Sequence, residues 1–165
     1  MRVLAIDPGN ERSAFVILED GTDVVMKGIE DNHELVKILP INHADAYVIE
    51  MIASYGMPVG REVFDTCVWI GRFVQALAEA ERPSGLIYRR EVKMHLCGNT
   101  KAKDSNIRAS LLDRFGPGKQ KAVGTKKAPG PLYGVKADVW AALALAVTWF
   151  DLAGNVHPHG EALRR

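Results

Sequence analysis

The chain has 165 residues, 47% hydrophobic and 25% charged, with a net charge of +1. That is one domain's length, enough for a substantial core, with the composition of an ordinary soluble globular protein. No apolar run reaches the roughly 18 residues of a membrane span, and the N-terminus lacks the basic-apolar-small order of a signal peptide, so the expected location is the cytoplasm. Cys67 and Cys97 form neither a metal spacing nor a disulfide framework and read as reduced thiols.

Residues 3–6 and 14–18 are apolar runs joined by a turn-rich segment that suits a hairpin, and residues 24–29 make a third strand. Asp31 or Asn32 caps a short helix carrying Leu35, Val36, Ile38 and Leu39, which Pro40 closes. Ala46–Met51 is the next strand, and the apolar spacing over residues 61–80 predicts a long amphipathic helix. Residues 86–88 form a fifth strand, followed by helices over 91–96 and 105–115. The Gly-, Pro- and Lys-rich stretch 116–134 reads as a mobile loop, and 136–152 as a closing helix apolar nearly all round. This order predicts an α/β fold: a mixed five-stranded sheet, antiparallel meander plus parallel strands, flanked by helices on both faces. One domain over 1–153 and a frayed tail over 154–165 are expected.

In that topology the first and fourth strands lie side by side, so Asp7 and Glu50 emerge together at the carboxyl ends of neighbouring strands, where open α/β sheets bind ligands. Asp7-Pro8-Gly9 is also ordinary turn chemistry, but Glu50, apolar on both sides, is costly to bury without a partner. Asp138, in the first turn of the closing helix, either favours the helix dipole or faces an opening. Three converging carboxylates repel one another and call for a cation, and oxygen ligands without His or Cys favour Mg²⁺ or Mn²⁺ over Zn²⁺. Two such ions about 4 Å apart can stabilise the attacking water and the leaving oxygen in phosphodiester cleavage. The histidines make no ligand pair at helical spacing, and His43 and His95 read as surface residues.

The small net charge hides an asymmetry. The first third of the chain is acidic on balance, whereas between Arg89 and Lys127 only Glu91, Asp104 and Asp113 oppose a run of lysines and arginines. Such a segment is either a solvated lysine-rich loop or a face that meets a polyanion.

These residues resemble the RuvC-type Holliday-junction resolvases of the ribonuclease H-like superfamily, particularly their phage and prophage branch. The resemblance rests on Ala5-Ile-Asp-Pro-Gly-Asn-Glu-Arg-Ser-Ala, on Val48-Ile-Glu with Ser54-Tyr-Gly-Met-Pro-Val-Gly, and on Lys136-Ala-Asp138 opening an alanine-rich helix. It implies a homodimer, in the cytoplasm of a bacterial host, that binds four-way DNA junctions and makes paired nicks with Mg²⁺ or Mn²⁺, two ions in all. Asp7, Glu50 and Asp138 match the metal-binding, catalytic carboxylates. Three positions depart from the pattern. Val135 stands where a fourth acid or a histidine is common, Ala53 where an aromatic stacks on a junction base, and Asp104 where a lysine is usual. Asp104 either supplies the fourth metal carboxylate or caps the helix starting at Ser105, with the cap favoured. Lys101, Lys103, Arg108, Lys119, Lys121, Lys126 and Lys127 fit phosphate contacts, which confer affinity without base identity. Trp69, Phe73 and Trp140 read as core or dimer-interface aromatics. The rival readings are a ribonuclease H-like nuclease acting on flaps or RNA–DNA hybrids and a catalytically idle branched-DNA-binding protein. An actin-like nucleotide-binding protein needs a second domain that 165 residues cannot hold.

Overall fold

A computed structural model describes residues 1–154. The chain opens with β1 (Arg2–Asp7), β2 (Arg12–Glu19) and β3 (Asp23–Asp31), paired as an antiparallel meander. Asp31 caps α1 (Asn32–Ile38), its carboxylate accepting from the His33 N–H at 2.8 Å. There follow β4 (Ala46–Met51), α2 (Arg61–Glu79), β5 (Ser84–Tyr88), α3 (Arg89–Cys97), α4 (Asp104–Phe115), α5 (Lys119–Ala122) and α6 (Val139–Gly154). The sheet order is β3-β2-β1-β4-β5, with β1 parallel to β4 and β4 parallel to β5. The mixed sheet expected from the apolar runs is therefore the one observed.

Strand alternation divides the core into two layers. Leu4, Ile6, Ile17, Tyr47 and Ile49 pack toward Leu35 of α1 and Ile70, Phe73 and Leu77 of α2. Val3, Ala5, Val16, Leu18 and Val48 pack toward α6 on the other face. Residues 142–147 of α6 are all fully buried, which requires cover on every side of the helix. The sheet lies beneath it, and α3 and α4 pack against its flank. Close approach at its far end uses a missing side chain: a Cβ on Gly85 of β5 would stand 2.5 Å from the Trp149 ring.

Two expectations need correction. Residues 116–134 are folded down rather than loose. They hold α5, a bridge between Gly124 and Pro129, and two fully buried core residues, Ala122 and Leu132. Too few apolar residues mark that segment for periodicity to register, and its anchors are isolated. The closing helix begins at Val139, not at 136, because Ala137 takes φ +45°, in the left-handed region that ends helical geometry. Asp138 thus lies just before the helix. The tail expected over 154–165 lies, past Gly154, outside the described residues.

Among the described residues no helix is long and apolar enough to cross a membrane. Neither Cys67 nor Cys97 is in a disulfide.

Candidate active site

Ile6 and Ile49 are the last paired residues of the β1–β4 ladder, and Asp7 and Glu50 follow them. Both continue the alternation of Ala5 and Val48, so they stand on the α6 face of the sheet. β5 runs parallel beside β4, with Ile87 opposite Glu50, and Arg89 follows where β5 gives way to α3. Arg89 Nη1 donates to Glu50 Oε2 at 3.4 Å, and Nη2 donates to Asp104 Oδ1 at 2.8 Å. Three adjacent parallel strands thus deliver an acid, an acid and a base to one rim.

Electrostatics follow from this crowding. Burial, then the charge of Glu50, pushes the Asp7 carboxyl up to about 7 against the opposing pull of Arg89, and Asp138 and Asp104 add to the rise. Burial also raises Glu50, partly offset by Arg89. Asp104, mostly exposed, is held below the usual carboxylate range by its hydrogen bond from Arg89, which outweighs its slight burial.

The turn after Asp7 is fixed from below. Gly9 N donates to Ser13 Oγ at 3.2 Å, Ser13 Oγ donates to Asn32 Oδ1 at 2.6 Å, and Asn32 Nδ2 donates back to Gly9 O at 2.9 Å. Ser13 and Asn32 are fully buried. Asp138 is exposed; its carbonyl accepts from Ala141 N at 2.9 Å and Ala142 N at 3.2 Å, so it takes the N-cap position of α6. The left-handed Ala137 before it is a strained conformation for a residue with a Cβ.

Asp104 does not cap a helix that starts at Ser105. It is itself the first residue of α4, Lys103 holds the cap position, and the Lys103 N–H is taken by Asn106 Oδ1 at 2.9 Å. The Asp104 carboxylate turns to Arg89 instead, because a guanidinium is a stronger partner than a backbone amide.

Among the described residues no three His, Cys, Asp or Glu side chains stand close enough to grip one ion as placed. The donor chemistry nonetheless suits a hard dication: Asp7 and Glu50 are neighbouring, largely buried oxygen donors whose mutual repulsion is relieved mainly by Arg89, with a smaller contribution from Lys93 at Glu50, and Asp138 acts on the Asp7 carboxyl. Beside them opens a cleft of about 350 Å³ lined by Tyr55, Arg89, Arg90, Lys93, Thr100 and Lys101. Lys101, Lys103, Arg108, Lys119, Lys121, Lys126 and Lys127 are all exposed, on the α3–α4 loop, α4, α5 and the following turn.

No sequence profile of a known protein family matches the chain, and no curated protein matches it. RuvC of Thermus thermophilus is similar in structure, with a TM-score of 0.66 at 18% identity over 94% of this chain and 97% of that one. The fold is RuvC-like. T. thermophilus RuvC in complex with a Holliday junction substrate matches equally, with a TM-score of 0.66 and 18% identity over 93% of this chain and 94% of that one.

Within the RuvC-like frame, Val135 is buried and has no metal-binding atom, while Tyr55, exposed at the cleft, is the aromatic nearest to Ala53 in the chain. Phe73 is fully buried, but Trp69 and Trp140 are only half-buried, each with an arginine stacked on it, Arg72 at 4.1 Å and Arg108 at 4.5 Å. His95 is a surface residue, as expected, and its Nε2 lies 2.8 Å from Asp151 Oδ2, a carboxylate that also receives Arg114. The cleft-lining residues that the sequence did not single out as site candidates are Tyr55, Arg89, Arg90, Lys93 and Thr100. Arg89 carried a usable signal, since it follows a predicted strand just as Asp7 does.

Proposed function

We propose that this chain is a divalent-metal-dependent endonuclease that resolves four-way DNA junctions by paired nicks, acting as a homodimer. The observation that supports it best is the placement of Asp7 and Glu50 on adjacent parallel strands, with Asp138 at the head of α6, next to a cleft lined by cations. Asp7, Glu50 and Asp138 are the residues to hold Mg²⁺ or Mn²⁺, two ions in all, with Asp104 the candidate fourth carboxylate. Such ions neutralise the carboxylates and stabilise charge that develops on phosphoryl oxygens.

The chain's own residues do the remaining work. Arg90, Lys93 and Lys101 draw a phosphodiester into the cleft, and the outer lysines hold the flanking backbone through contacts indifferent to base identity. The turn braced by Ser13 and Asn32 keeps Asp7 at the rim, and the buried floor limits water at Asp7 and Glu50. Water attacks phosphorus in line and the opposite P–O bond breaks. The similarity to a RuvC that has been seen with a Holliday junction substrate favours branched DNA over hybrids or single flaps.

The test is cutting of a synthetic mobile junction, a flap and an RNA–DNA hybrid, with and without Mg²⁺, with nick positions mapped. Symmetric nicks in the junction alone are expected. Preferential hybrid or flap cutting supports the broader nuclease reading, and binding without cutting supports an idle scaffold.

A further inference from the structure

Arg89 stands out among the charged groups because it sits where a bound cation has most to gain. It bridges Glu50, whose side chain is 13% exposed, and Asp104, which is 79% exposed. The Glu50 pairing is therefore the desolvated and electrostatically costly one to break, although at 3.4 Å it is also the looser in geometry. The shorter bond, 2.8 Å to Asp104, gives the guanidinium an anchor that does not depend on Glu50. Arg89 is placed there by the backbone, as the first residue of α3 directly after β5, so its reach to Glu50 is set by the β4–β5 register.

We infer that Arg89 is a resident counter-cation of the carboxylate rim that competes with the divalent ion for Glu50 and so weakens metal binding in the absence of DNA. The inference rests on the metal-dependent reading proposed above. An ion taken up at Glu50 meets a carboxylate already compensated, and the guanidinium must surrender that partner while keeping Asp104. The displaced charge then belongs to the cleft that Arg90, Lys93 and Lys101 also line, where a DNA phosphate offers it a new partner. Metal and DNA binding are thereby coupled: each favours the arrangement in which Arg89 has left Glu50. Arg89 in this role acts through Glu50 and is a positioning residue.

The sign of the effect separates this role from a structural one. Removing a supporting side chain loosens a site and weakens metal binding, whereas removing a competitor tightens it. The experiment measures Mn²⁺ binding to the full-length protein without DNA, by calorimetry and electron paramagnetic resonance, for wild type, R89Q and R89K. R89Q is expected to bind Mn²⁺ about tenfold more tightly, the scale on which one neighbouring charge alters a carboxylate's affinity for a cation. R89K keeps a charge but has no fork to bridge two carboxylates, and about threefold tighter binding is expected. It serves as the test should R89Q fail to fold. Equal or weaker Mn²⁺ binding by the folded variants overturns the inference while leaving the metal reading intact. No Mn²⁺ binding by wild type or either variant overturns both.

Discussion

Ser13 and Asn32 meet through a 2.6 Å hydrogen bond with both side chains fully buried, and this pair holds the turn that follows Asp7. Asn32 Nδ2 also satisfies Gly9 O, and Asn32 N satisfies Glu11 O at 3.0 Å, so one asparagine at the head of α1 closes a loop belonging to the β1–β2 hairpin. Asn32→Ala leaves the Gly9 carbonyl and the Ser13 hydroxyl without that partner, at about 1–3 kcal/mol of stability. Urea unfolding measures the loss; a variant as stable as wild type refutes it. Junction cutting is expected to fall further than stability explains, because that turn directly follows Asp7 and holds it at the rim.

Asp7 itself opposes folding at neutral pH. Its carboxyl is raised from 3.8 to about 7, so the folded protein retains a proton that the unfolded chain has released. Stability is therefore undiminished below the unfolded value and falls as pH rises through about 7. Asp7→Asn is expected to stabilise the metal-free protein at pH 8, by at most on the order of 4 kcal/mol, and to gain little near pH 4. The same variant is expected to abolish cutting while sparing junction binding. Paired unfolding curves in a chelating buffer check the first claim, and full cutting activity refutes the second.

Asp151 shows the opposite sign. Burial pushes its carboxyl up, but hydrogen bonds from Arg114 at 2.7 and 2.8 Å and from His95 at 2.8 Å outweigh that and hold it below the usual range. Its contribution is present above the unfolded value near 4 and disappears as pH drops through the folded one. Asp151→Asn is expected to lose roughly 1 kcal/mol at pH 7, since all three side chains are partly exposed, and less at pH 3. Thermal melts at the two pH values decide it.

The lysines of α5 and the following turn are expected to act as charge alone. Replacing Lys119, Lys121, Lys126 and Lys127 with glutamine is expected to reduce the log–log salt slope of junction binding by roughly three to four. Affinity then falls alike for junctions of different sequence. An unchanged slope places the DNA elsewhere on the surface.

Close packing gives a test independent of function. A Cβ at position 85 would lie 2.5 Å from the Trp149 ring, so Gly85→Ala forces that ring out of its place between α6 and β5, at a cost of about 1–3 kcal/mol. Chemical denaturation measures it.

The strands and the long helix were legible because each buries a continuous pattern. β4 was expected at its observed bounds, Ala46–Met51, and α2 within one residue of its own, Arg61–Glu79. The short apolar runs at residues 3–6 and 14–18 were found but underestimated, since polar residues at strand ends pair through the backbone and leave no hydropathy signal. The two core anchors of the 116–134 stretch escaped for a related reason: Ala122 and Leu132 stand ten residues apart in a glycine- and lysine-rich segment, and nothing periodic links them.

The pairing of β1 with β4, and with it the meeting of Asp7 with Glu50, was legible in the sequence, because alternating burial and helix-linked parallel pairing leave few topologies that cover both faces of the sheet. Only the tertiary structure decided what surrounds those acids. Arg89 was one cation among many in a basic stretch until β5 lay beside β4, and Asp104 was a helix cap until a guanidinium came within 2.8 Å. Local preference is a matter of a single amide. A charge pair at a half-buried rim is stronger, and it depends on two segments far apart in the chain arriving at the same place.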